Sequence, residues 1–151
     1  MKIYIMFGDY SGDGHCQNEK ILVDAPSMAH ILEAQRIVRE EYGKDIFEHM
    51  ATEYENPHFG KDVWDLLLNT AYPIDRLEKY LDGYNLDGCD SLFEFLIDEP
   101  NPYVNIEFVI DAFIWILNCA GAEIVRIDDE ETIPTINYRD GFDTVGYGCY
   151  D

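Results

Sequence analysis

Positive charge is what this chain has least of. Against 31 Asp and Glu stand only 10 Lys and Arg, giving a formal net charge of -21, and from Tyr80 to Val125 there is no Lys or Arg at all. A field of that sign repels nucleic acid, phospholipid headgroups and other polyanions, and it steers basic surfaces inward. The expected partner is therefore a basic protein, with neither direct nucleic-acid nor membrane contact. Cysteine is sparse too: Cys16, Cys89, Cys119 and Cys149 form no Cys-x-x-Cys element, and no cleavable apolar leader follows Met1. Both features set the expectation of a protein of the reducing cytoplasm. Long apolar runs are also missing, since the longest, Ile106 to Ala120, carries Glu107, Asp111 and Asn118 and reads as a core helix rather than a membrane span.

What is present argues for a folded body. A chain of 151 residues that is 47% apolar and 14% aromatic buries a proper core, so one domain over residues 1–151 is expected and disorder is not. Lys2 to Phe7 and Lys20 to Val23 are β-rich runs separated by the polar, glycine-bearing stretch Gly8 to Glu19, which together predict a hairpin with a long loop. Asp24 to Ser27 opens a helix that runs from Met28 to Tyr42 and stops at Gly43. Shorter helices are predicted over Asp45–Tyr54, Lys61–Asn69 and Pro73–Asp82, then from a cap at Asp90 or Ser91 to Ile97. Asn105 to Asn118 is apolar nearly all round and predicts the central helix, with Gly121 as its C-terminal cap. Beyond it the period becomes alternating, and Ala122–Ile127, Thr135–Tyr138 and Thr144–Tyr150 read as strands, with Arg139 to Gly141 a turn. The fold class expected is α+β: an antiparallel sheet built from N- and C-terminal strands with several helices packed on one face.

The distribution of acid matters more than its total. The Lys- and Arg-free window holds Asp82, Asp87, Asp90, Glu94, Asp98 and Glu99, together with Glu107, Asp111 and Glu123, and just after it come Asp128, Asp129, Glu130 and Glu131. Unneutralised carboxylates repel one another, so their retention suggests a use. One such use is to occupy the Lys and Arg side chains with which another protein grips phosphates. The aromatics Tyr80, Tyr84, Phe93, Phe95 and Tyr103 lie among these acids and are candidate anchors for a partner. The alternative is that the acids form a solvated face and the aromatics belong to the core.

Other constellations carry less. Asp9, Ser11, Asp13 and Gly14 fit the first half of a calcium loop, but Lys20 stands where a bidentate Glu is needed and the flanks read as strands. Asp and Gly are also what any hairpin loop prefers. His15 beside Cys16 names no nucleophile and base, because neighbours in an extended segment point to opposite sides. His49 and His58 have no metal-ligand spacing, Gly141, Gly146 and Gly148 open no helix that would cradle a phosphate, and Trp64 and Trp115 take core positions. No catalytic residue, metal ligand or cofactor is assigned, and the expectation is a protein that is not an enzyme.

In small size, extreme acidity and lack of a visible active site, the chain resembles phage-encoded anti-defence proteins, the anti-CRISPR and anti-restriction inhibitors, several of which mimic DNA. The resemblance is one of character across the whole chain, since those inhibitors share no sequence signature and no residue role carries over. Eight of the ten basic residues fall within the first 79 positions, so any mimicry belongs mainly to the second half. The resemblance implies an inhibitor acting in the host cytoplasm on a basic nucleic-acid-handling protein, such as a defence nuclease or CRISPR effector. An immunity protein that neutralises a cationic toxin would look the same, and a small enzyme or metal- or ligand-binding protein using the Gly8 to His15 loop is the alternative from another class.

Overall fold

The computed structural model describes residues 1–10, 16–43, 61–80, 84–100, 102–104, 106–128 and 135–137. Strands β1 (Lys2–Tyr10) and β2 (Cys16–Asp24) form an antiparallel hairpin in which Lys2 faces Asp24 and Tyr10 faces Cys16. The period of two puts Ile3 opposite Val23 and Ile5 opposite Ile21, all four buried in the core, and this apolar face fixes the register. Both strands outrun the apolar segments that announce them. Gly8 pairs with Asn18 and Asp9 with Gln17, inside what reads from the sequence as loop. Main-chain hydrogen bonds carry a ladder whatever the side chains are, so pairing continues past the last apolar residue.

β3 (Val125–Ile127) adds to β2 in antiparallel fashion and β4 (Thr135–Asn137) lies beside β1, giving the order β3-β2-β1-β4. The α+β class and the antiparallel sheet drawn from distant parts of the chain are as expected. β4, however, runs parallel to β1. It lies at the opposite edge of the sheet from β3. The expected helix over Asp45–Tyr54, the strand over Thr144–Tyr150 and the turn before it lie outside the described residues.

Helix α1 (Met28–Tyr42) begins at Ser27, whose hydroxyl accepts from the His30 N–H at 3.2 Å, and ends at Gly43, whose N–H returns to the Arg39 carbonyl. α2 (Lys61–Asn69) buries Val63, Trp64, Leu66 and Leu67. α3 (Ile74–Leu77) is a single turn where the sequence predicts helix over Pro73–Asp82, and residues 78–80 continue only as turn. Pro73 offers its end no side-chain cap, and only Leu77 is fully buried to hold the segment down. α4 (Leu92–Asp98) is followed by α5 (Ile106–Cys119), the central helix on which α1 and α2 pack. Trp64 stacks on Phe108 of α5 with ring centroids 5.7 Å apart, and Tyr72 meets both Phe108 and Trp115 edge-on.

Two helices end in the same hydrogen-bonded turn. After α5 the Ala122 N–H reaches the Leu117 carbonyl and the Gly121 N–H the Asn118 carbonyl, both at 3.0 Å, with Gly121 at φ 102°. After α2 the Tyr72 N–H reaches Leu67 at 3.0 Å and the Ala71 N–H reaches Leu68 at 3.1 Å. There the left-handed position belongs to Ala71, at φ 54°. A Cβ in that region crowds the following carbonyl, and for that reason glycine is the usual occupant.

Candidate functional site

α4 is short, and its sequence has more apolar residues than one buried face requires. Leu92 and Phe95 enter the core and Leu96 is half-buried, whereas Phe93 and Ile97 are 61% and 64% exposed. Four residues apart on a helix, Phe93 and Ile97 form one outward stripe. Asp90, Glu94 and Asp98 repeat at the same interval immediately beside it, and all three are exposed. Tyr103, 57% exposed, lies in the segment after α4, which is tied down where the Tyr103 N–H donates to the Tyr84 hydroxyl at 3.0 Å. Tyr84 in turn meets Phe95 edge-on at 5.8 Å. The five aromatics singled out in the sequence therefore divide: Phe93 and Tyr103 face solvent, Phe95 is buried, and Tyr80 and Tyr84 are half-buried.

The sequence-predicted acids divide as well. Ser91 caps α4 by accepting from the Glu94 N–H at 3.2 Å, and the Glu94 carboxylate reaches back to the Asp90 N–H at 2.7 Å, so Glu94 serves the helix end as well as the surface. Asp87 is exposed in the turn from Leu86 to Cys89, whose third residue Gly88 takes φ 84°. Glu99 closes α4, and Asp128 is exposed in the chain immediately after β3. Asp87, Asp90, Asp98 and Glu99 make no ion pair among the described residues. Asp82, Asp129, Glu130 and Glu131 lie outside those residues. Beside the start of α4, Asp90 and Phe93 share with Leu68, Ala71, Pro73 and Ile74 a groove of about 360 Å³ that carries no basic side chain.

Two further acids of the window, Glu107 and Asp111, are neutralised from outside it. Arg126 of β3 pairs with Glu107. Arg76 of α3 grips Asp111 through Nε at 2.7 Å and Nη2 at 2.6 Å, and the Tyr72 hydroxyl donates to the same carboxylate. The Asp111 side chain is only 9% exposed. Burial first, and then the hydrogen bond to Asp111, push the Tyr72 phenol far above its ordinary value. Sequence spacing gives no sign of these pairings, although an aspartate in the middle of an apolar helix signals that some cation must reach it.

Of the calcium-like loop, Asp9 stands in the β1–β2 ladder and Ser11, Asp13 and Gly14 lie outside the described residues. Among the described residues no cluster of His, Cys, Asp and Glu is arranged to hold a metal ion, and no helix is long and apolar enough to cross a membrane. Comparison with protein-family models, curated proteins and solved structures returns no match for this chain.

Proposed function

We propose that this protein is a non-enzymatic inhibitor that docks the outward face of α4 on a basic nucleic-acid-handling protein and blocks its nucleic-acid channel. One observation carries the reading: the exposed apolar pair Phe93 and Ile97 runs alongside carboxylates that no cation offsets among the described residues. Apolar anchors ringed by charge are what a specific protein interface requires. The acids speed and orient the encounter, and desolvation of the anchors supplies the affinity. A coat that served solubility alone would place polar residues at 93 and 97. The cytoplasm of the cell holding that partner is the location this function implies.

The test is co-purification with mass spectrometry at low and high salt, comparing the wild-type chain with D90N/D98N and with F93S/I97S. The expected catch is a basic nucleic-acid-binding protein that high salt or added DNA releases. Each double variant lowers its affinity at least about tenfold. A partner that is retained equally by both variants, or that ignores salt, removes the proposal. Capture of a cationic toxin instead transfers the same surface to an immunity function.

A further inference from the structure

The two arginines that bracket the basic-free window, Arg76 and Arg126, meet at one cavity of about 380 Å³ between α3, α5 and β3. Ile110, Ile114, Ile124 and Val125 give it an apolar side, with Asn118 also in the lining. Tyr80 also lines it, and the Lys79 ammonium lies over the Tyr80 ring, 5.5 Å from the centroid. The cations gathered here are thus Arg76, Lys79 and Arg126, against the carboxylates Glu107 and Asp111. Three of the ten basic residues of the chain therefore come together here.

Part of that positive charge is uncommitted. Arg76 spends Nε and Nη2 on Asp111, which leaves its Nη1 edge without a hydrogen bond among the described residues. Lys79 makes no ion pair among them. Arg126 is held by Glu107 at a site where both side chains are about two-fifths exposed, a pairing that water weakens and a better-placed anion can displace. Burial and then Asp111 raise the Tyr80 phenol, and Arg76 and Arg126 lie near enough to oppose that rise.

We infer that this cavity is a binding site for a small monocarboxylate with an apolar body. Its carboxylate lies between the Arg76 Nη1 edge and Arg126, and its hydrocarbon portion rests on the isoleucine wall. A guanidinium fork matches the two carboxylate oxygens, and the apolar wall selects against inorganic anions. The surrounding negative field repels a dianion more than a monoanion, which disfavours phosphate esters.

The experiment is a calorimetric and NMR titration of the whole chain with sodium 4-methylpentanoate, with 4-methylpentanamide and inorganic phosphate as comparisons. The carboxylate is expected to saturate with a dissociation constant on the order of 1 mM and to shift the Ile124, Val125 and Arg126 amides. The amide is expected to bind at least about tenfold more weakly. R126Q weakens binding about tenfold, and E107Q, which removes the carboxylate competing for the Arg126 guanidinium, tightens it by about threefold. If R126Q fails to fold, E107Q decides, with tightening in support and no change against. No saturation, equal binding of the amide, tighter binding of phosphate, or indifference to both substitutions overturns the inference.

Discussion

Asp111 sits mid-helix in the core, where Arg76 and Tyr72 reach its carboxylate. Removing one partner from a buried pair leaves an uncompensated charge, at a cost of about 3–5 kcal/mol when both are fully buried. The Arg76 side chain is 40% exposed, so water compensates in part. R76M is therefore expected to cost about 2–3 kcal/mol in urea unfolding, and the triple variant R76M/D111L/Y72F is expected to recover most of that loss. Tyr72 adds a pH dependence. Its folded phenol is raised by burial and by Asp111, so the stability it contributes is complete below the unfolded tyrosine pKa of about 10 and is lost as the pH rises above it. Tyr80 is raised in the same direction. Unfolding free energy should fall above about pH 10 with a slope of up to 1.4 kcal/mol per pH unit for each such group. Y72F should flatten that slope, and an unaltered slope would show that Tyr72 titrates normally.

At the scale of elements, the turn that ends α2 holds removable strain. A71G relieves a left-handed alanine and should raise stability by about 0.5–1 kcal/mol, whereas G121A introduces the same strain after α5 and should lower it by about 1 kcal/mol. Thermal melts of the two variants should move in opposite directions. S91A removes the α4 cap at a cost of about 1 kcal/mol. These ends were largely legible in the sequence. Ser27 and Gly43 bound α1, and the predicted Lys61–Asn69 is α2 as it stands. The predicted helix overruns α3 because Ile74, Leu77 and Tyr80 keep helical spacing whether or not the chain stays helical over residues 78–80. The direction of β4 was illegible because an alternating pattern reports which face is buried and says nothing of which way the strand runs. The acids of α4 were evident from composition, but the exposure of Phe93 and Ile97 was not. Leu92, Phe95 and Leu96 already satisfy the core, and only the packed helix reveals which apolar residues are surplus.

For the molecule as a whole, a net charge of -21 makes self-repulsion a standing term against compactness. Salt screens that repulsion, so about 0.5 M NaCl is expected to raise the melting temperature by several degrees. A fall instead would mean that the ion pairs of Arg76 and Arg126 outweigh the repulsion. The sheet's topology bears on biosynthesis as well. β1 takes its hairpin partner within a few residues, but its other edge waits for residues 135–137. At ribosomal speeds that neighbour emerges on the order of ten seconds later. Throughout that interval the nascent hairpin presents an open strand edge to every other chain nearby, and the growing excess of like charge keeps those chains at a distance.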